Sequence, residues 1–248
     1  MKSFDTVFLD LDGTITDSAP GILASVRYAL RKYQEDSPRE YTDAELNFFI
    51  GPPLVDSFEK LLSCSHDDAL KCLAWYRQFY TGQIQGAALP GMLMNSVYPG
   101  IPELLGRLRK AGVKIVLATA KPEVYARRIL EHYDLAKFFD FIHGATLEES
   151  RNKKHQVIAW ALAHSGDVGR VVMVGDREND ITGAKVNGLS SIGVLWGYGS
   201  EAELREAGAD MICAKVEDFF RSALENPSLW ANLKNIAIAL PAANRSAK

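Results

Sequence analysis

Thr6-Val7-Phe8-Leu9-Asp10-Leu11-Asp12-Gly13-Thr14 is the stretch on which the fold turns. Its first four residues are β-branched or apolar without interruption. A half-exposed strand would alternate apolar with polar residues. An unbroken run suggests a strand covered on both faces, as in a parallel sheet. The run stops at two aspartates and a Gly-Thr pair, so acidic side chains sit where the strand ends.

The pattern then changes for about 80 residues, and helical periodicity takes over. Pro20 to Tyr33 carries Ile22, Leu23, Val26 and Leu30 on one face, with Pro20 near the first turn. Thr42-Asp43-Ala44-Glu45 is a capping-box pattern ahead of Leu46 and Phe49. Leu54 to Leu62 groups Val55, Phe58, Leu61 and Leu62. Ser65-His66-Asp67-Asp68 opens a further helix bearing Leu70, Leu73, Ala74, Tyr76, Phe79 and Tyr80. The aromatic series Trp75, Tyr76, Phe79 and Tyr80 is read as the core of this all-helical insert. Ile50-Gly51-Pro52-Pro53-Leu54 is the turn between two of its helices.

From Tyr98-Pro99-Gly100 onward, strands and helices alternate. Ile101 to Ala111 is an amphipathic helix closed by Gly112. Lys114 to Thr119 is a strand, and Pro122 begins the next helix. Phe141-Ile142 is a short strand, and Lys154 to His164 a helix. Val171 to Val174 is a strand ending at Gly175-Asp176. Asp180 to Val186 is a helix stopped by Gly188, Ser191 to Leu195 a strand, and Ser200 caps a helix ended by Gly208. Repeated strand–helix units imply an α/β fold, a doubly wound parallel sheet with right-handed crossovers. The expected division is a core over residues 1–14 and 96–225, a helical cap over 15–95 and a tail over 226–248. The tail alternates Leu, Ile and Ala without punctuation.

Composition agrees with a globular chain and excludes several classes. The 248 residues are 47% hydrophobic and 24% charged, with a net charge of −3. Mild acidity argues against non-specific binding to nucleic acid or to an anionic membrane. No window approaches the roughly 20 apolar residues that span a bilayer. Cys64, Cys72 and Cys213 lack the spacing of a disulfide framework or a zinc site. The opening residues do not form a signal peptide, because Asp10 and Asp12 break the apolar run. The expected location is the cytoplasm. His66, His132, His143, His155 and His164 do not cluster and are read as structural or exposed.

Ligands in such sheets bind beyond the carboxyl ends of the strands. The polar residues that follow strand ends or sit in nearby loops are Asp10 with Asp12, Thr119, Lys153 or Lys154, and Asp176 with Asp180. Carboxylates gathered that closely repel and call for a cation. Oxygen-only donors point to a hard one, Mg²⁺. A cation, a lysine and a hydroxyl together suit a phosphoryl group, whose transfer is mostly positioning and charge neutralisation. With the phosphate's charge cancelled, an aspartate is free to attack and form an aspartyl-phosphate. A second carboxyl protonates the leaving alkoxide and later takes a proton from water.

Phe8 to Thr14 resembles the first motif of the haloacid dehalogenase superfamily, in its Asp-x-Asp-Gly-Thr phosphatase form. Thr119 ends a hydrophobic strand as in the second motif, and Lys154 precedes a helix as in the third. Gly175-Asp176-Arg177-Glu178-Asn179-Asp180 matches the fourth. The likeness runs over residues 4 to 220 and is closest to phosphoglycolate phosphatase-like members, with a helical cap between the first two motifs. Tyr98 to Leu105 resembles their return from cap to core. In similar capped phosphatases the turn corresponding to Ile50–Leu54 faces the active site and helps choose substrates, so this stretch is either such a loop or a plain helix–helix turn. The resemblance implies Asp10 as nucleophile and metal ligand, and Asp12 as general acid/base with its carbonyl on the metal. It implies Thr119 as a hydrogen-bond donor to the phosphoryl group and Asp176 as a metal ligand. Asp180 would orient the site, and Gly13 would bring backbone to phosphate. Many relatives have Lys-Pro where this chain has Lys154-His155. Lys154 is favoured over Lys153 because it directly precedes the helical run.

The implied substrate is a small phosphorylated metabolite: phosphoglycolate, a nucleoside 5′-monophosphate or a sugar phosphate. A sugar-phosphate mutase is the alternative within the superfamily. Carbon–halide cleavage fits less well, since dehalogenases lack the carboxylate matching Asp12. A phospho-aspartate receiver would carry no long insert after the first strand. An inactive, partner-binding relative would be expected to lack some of these polar residues.

Overall fold

The computed structural model describes residues 4–84, 89–148 and 150–220. The expected tail over 226–248 lies outside the described residues. Six parallel strands form the central sheet in the order β5-β4-β1-β6-β7-β8. They are β1 (Thr6–Leu9), β4 (Lys114–Pro122), β5 (Phe141–Ala145), β6 (Val171–Gly175), β7 (Ser190–Val194) and β8 (Met211–Cys213). β1 lies between β4 and β6, with Leu9 level with both Leu117 and Val174. The chain builds out to one side through β4 and β5, then returns to the other side at β6. That reversal is where ligands bind in doubly wound sheets.

The unbroken apolar run of β1 is explained by cover on both faces. Phe8 joins Val116, Met173 and residues Val157, Ile158 and Ala161 in one core. Those last three lie on α7 (Lys154–His164), which packs beside α8 (Glu178–Val186). Val7 and Leu9 face the opposite, larger core. There α5 (Ile101–Lys110) buries Leu104, Leu105 and Leu108, and α6 (Glu123–His132) buries Ala126, Ile129 and Leu130. α9 (Glu201–Ala207) and α10 (Val216–Phe220) complete the layers.

Between β1 and α5 lies the helical segment. It holds α1 (Ala19–Tyr33), the single turn α2 (Asp43–Leu46), α3 (Leu54–Leu62) and α4 (His66–Thr81). Thr42 and Glu45 form the expected capping box. Ser65 Oγ accepts from Asp68 N at 3.2 Å to start α4, and Gly82 ends it in the left-handed region. α1 buries Ile22, Leu23, Val26, Ala29 and Leu30 at helical spacing, and packs against α4. Phe58, fully buried on α3, meets Phe49 edge-on at 4.9 Å.

The segment is not wholly helical. β2 (Thr16–Asp17) pairs antiparallel with β3 (Ser96–Val97), tying its entry to its exit. Two-residue strands carry no readable periodicity, and the same brevity hid β8 and α10. No helix among the described residues is long and apolar enough to cross a membrane.

Phe58→Ala leaves an aromatic-sized void in this layer. It is expected to lower the unfolding free energy by about 3–5 kcal/mol, read from urea denaturation. A loss of less than about 1 kcal/mol would mean that the ring does not pack as described.

Candidate active site

Parallel strands deliver their C-terminal ends to one edge, so residues distant in sequence meet there. Asp10 leaves β1 with its N–H bonded to Val174 O at 3.0 Å. Asp176 leaves β6 one strand away. Carboxylate oxygens of Asp10, Asp176 and Asp180 all lie within 4.8 Å of one another, and all three residues are buried. One ammonium reaches into this cluster. Lys154 Nζ lies 2.6 Å from Asp10 Oδ1 and 2.7 Å from Asp180 Oδ1, and donates to Ala118 O at 3.3 Å. Lys153, its neighbour, is exposed and caps α7 through its backbone.

Burial and repulsion leave their mark on the carboxyls. Burial pushes Asp10 up to about 6, with Asp180 and Asp12 adding to the rise and Lys154 opposing it. Burial also holds Asp176 well above the usual carboxylate range, helped by Asp180 and Asp10. Burial pushes the Lys154 ammonium down, but Asp10 and Asp180 outweigh it and raise the ammonium above its ordinary value. A single lysine therefore does not satisfy the cluster. An all-oxygen donor set with excess negative charge fits a hard divalent cation.

The carboxylates are not equivalent. Asp180 has both oxygens engaged, Oδ1 by Lys154 and Oδ2 by Arg177 N–H at 3.1 Å. Asp176 accepts from Tyr198 N–H at 2.8 Å and from Thr14 Oγ1 at 3.3 Å. Asp12 points elsewhere, with Oδ2 2.6 Å from Lys121 Nζ and a buried Oδ1 that has no hydrogen-bond partner. Thr119 is buried at the cavity wall, its Oγ1 accepting from Lys121 N–H at 3.2 Å. Gly13 stands at φ +86°, where a Cβ would lie 2.1 Å from Asp176 Oδ2. Gly197 faces the same constraint, its Cβ falling 2.2 Å from Gly13 O. The two glycines let both loops close around Asp176.

Sequence reasoning missed two residues here. Lys121 follows Thr119 by two, the strand period, but the apolar pattern of the sequence ends this strand at Thr119. It runs on to Pro122, with a register shift between Ala118 and Pro122. Tyr198 lies in a loop with no motif to mark it. Its hydroxyl accepts from Ser18 N at 2.7 Å and Ala19 N at 2.9 Å, and donates to Asp17 Oδ1 at 2.8 Å. Tyr198 thereby joins Asp176 to the start of the helical segment. Arg177 makes a second latch, donating to Ile50 O and to Glu203 Oε1, each at 2.8 Å.

A cavity of about 410 Å³ opens over the acids. Residues 49–54 line it, so the Ile50–Leu54 turn is more than a connection between helices. Tyr76 and Tyr80 line it too, which corrects their reading as interior packing alone. Among the histidines only His155 borders the cavity, and His143 is buried against Ser165. All three cysteines are free. Burial pushes the Cys72 and Cys213 thiols up to about 12, so neither is a ready nucleophile.

Residues 7–194 match the haloacid dehalogenase-like hydrolase family, and the chain belongs to it. The chain is 36% identical over 214 residues to a 5′-nucleotidase of Pseudomonas aeruginosa, covering 86% of this chain and 92% of that protein. It is 40% identical over 226 residues to tyrosine-protein kinase PtkA of Mycobacterium tuberculosis, covering 90% and 73%. A phosphoglycolate phosphatase of Vibrio parahaemolyticus is 27% identical over 218 residues, with 86% and 92% covered. The crystal structure of a predicted phosphatase from Clostridium acetobutylicum superposes with a TM-score of 0.80 at 40% identity, covering 90% of this chain and 99% of that one.

Two outcomes follow from this geometry. A carboxyl with a raised folded pKa binds its proton more tightly in the folded state, so stability falls as pH rises between its unfolded and folded values. Without added metal, stability should decline from about pH 4 through about pH 6 as Asp10 ionises. Mg²⁺ should raise the melting temperature above pH 6 and do little near pH 4. Melting curves in chelator and in Mg²⁺ check this, and an equal effect at both pH values would contradict it. Tyr198→Phe strands the Ser18 N–H and leaves Ala19 N–H with Asp17 Oδ1 at 3.2 Å, and is expected to cost about 1–3 kcal/mol in urea denaturation.

Proposed function

We propose that this protein hydrolyses phosphomonoesters of small cytosolic metabolites through an aspartyl-phosphate on Asp10, with Mg²⁺ as its cation. The observation that carries the reading is the buried cluster of Asp10, Asp176 and Asp180, with Lys154 alone among the described residues paired to it. Relatives named as phosphatases support the same chemistry.

The contacts and the family resemblance support the following roles. Asp10, Asp176 and the Asp12 carbonyl would hold the cation, which when bound cancels charge on the phosphoryl oxygens. Asp180, with both oxygens taken, orients Lys154 rather than a ligand. Thr119 accepts from backbone, which leaves its own proton for a phosphoryl oxygen. A carboxylate oxygen of Asp10 attacks phosphorus, and the bond from phosphorus to the ester oxygen breaks. Asp12 gives its proton to that oxygen, and the alcohol leaves. Water then loses a proton to Asp12 and attacks phosphorus, the bond to Asp10 breaks, and inorganic phosphate departs. Asp12 must exchange its proton twice per cycle, and its unpartnered Oδ1 is suited to that.

Residues 15–95 serve in this reading as a cap over a core of residues 1–14 and 96–225. Closing such a cap excludes bulk water during the first transfer. Resemblance favours phosphoglycolate as substrate, with nucleoside 5′-monophosphates and sugar phosphates as competitors.

The test is phosphate release from a panel of esters with and without Mg²⁺. Asp10→Asn should reduce turnover at least about 10³-fold, because an amide is a poor nucleophile. Wild-type rates from that variant would refute the assignment. Return of the phosphoryl group to a sugar without free phosphate would indicate a mutase instead.

A further inference from the structure

The cavity has two chemically different ends. One holds the acids, Thr119 and Lys154. The other is aromatic, formed by Tyr76 and Tyr80 of α4 and Tyr125 of α6. Tyr76 and Tyr80 are nearly parallel, with ring centroids 5.2 Å apart and planes 15° from each other. Tyr125 meets Tyr80 edge-on at 5.8 Å. The aromatic end begins beside the chemistry. Lys121 Nζ pairs with Asp12 and lies 5.0 Å from the Tyr80 ring centroid. The aromatic rings therefore lie within reach of a group attached at the Asp12 side of the site.

Two further features narrow what fits there. The Tyr80 hydroxyl is buried and has no hydrogen-bond partner, an arrangement that costs free energy unless a ligand supplies one. Two of the lining cations are already committed: Lys121 to Asp12, Lys154 to Asp10 and Asp180. A short leaving group such as glycolate lacks the bulk to fill the space. The volume of about 410 Å³ falls in the range of pockets for drug-sized ligands, about 300–1,000 Å³.

Resting on the phosphomonoesterase reading, we propose that the Tyr76–Tyr80–Tyr125 wall is a leaving-group subsite for a flat, uncharged ring, and that the Tyr80 hydroxyl hydrogen-bonds the ring's polar edge. Stacking on aromatic side chains tolerates many rings, since each has a π-face. A nucleoside and a simple aryl group share this chemistry, and the experiment separates them.

The full-length protein with Mg²⁺ is assayed for phosphate release on five esters. These are a purine and a pyrimidine nucleoside 5′-monophosphate, phenyl phosphate, glycerol 3-phosphate and phosphoglycolate. The best ring-bearing ester should exceed both ring-less esters at least about tenfold in kcat/KM. Nucleotides ahead of phenyl phosphate identify a nucleoside, and the reverse order an aryl group. Tyr125→Leu, at a half-buried position, should shrink the ring-to-ringless ratio about tenfold. Tyr80→Phe keeps the ring and should raise KM for the nucleotides about fivefold more than KM for phenyl phosphate. Equal preference for phosphoglycolate, or equal losses on all esters in Tyr125→Leu, overturns the subsite while leaving the hydrolase intact. No phosphate from any of the five overturns the hydrolase reading itself.

Discussion

Three carboxylates within 4.8 Å of one another in a buried site repel, and one lysine meets only two of them. That imbalance is the constraint around which the rest is built. Burial turns it into raised affinity for positive charge, whether a proton or a metal ion, and Asp10 near 6 shows the strength of the pull. A site tuned this way would be wasteful as mere structure, since a hydrophobic substitute would pack without such a cost. Its chemistry is what the family membership leads one to expect.

Holding the acids in place demands unusual backbone. Gly13 and Gly197 crowd against Asp176, and Tyr198 N–H and Thr14 Oγ1 complete its hydrogen bonds. Trp196 Nε1 donates to Thr14 O at 3.0 Å, so the loop after β7 grips the loop after β1. The ends of β1 and β6 are therefore braced by the loop after β7, 182 residues beyond Thr14 at Trp196 and 22 beyond Asp176 at Tyr198. Both hydrogen bonds from the loop after β7 join a side chain to a backbone group, which no spacing rule in the sequence reveals.

Legibility divided along these lines. Elements with a strong period were readable: the helix Lys154–His164 begins and ends where its apolar spacing places it. Motif residues carried by strand ends were readable as well, because a buried strand stopping at Asp10 or Asp176 has few bland explanations. Position within the site was less so. Lys153 and Lys154 differ by one residue, and only the helix's orientation sends one into the acids and leaves the other in solvent. Lys121 was hidden by a strand that continues three residues beyond its apolar run, and β2 and β3 by having two residues each. Tyr76 and Tyr80 look like packing in the sequence, and they are packing. What the sequence did not carry is that the same rings also face a cavity.

That double use follows from how the helical segment is anchored. It is pinned to the core at both ends of one ribbon, β2 to β3, and again where Tyr198 holds Asp17, Ser18 and Ala19. Arg177, adjacent in sequence to Asp176, adds a bond to Ile50 in the cavity-lining turn. Both latches start at residues bonded to, or next to, the acid cluster. Any shift of the helical layer must therefore strain contacts that also orient Asp176 and Asp180. Positioning of charge and enclosure of the cavity are in this way one mechanical problem, solved by the same few side chains.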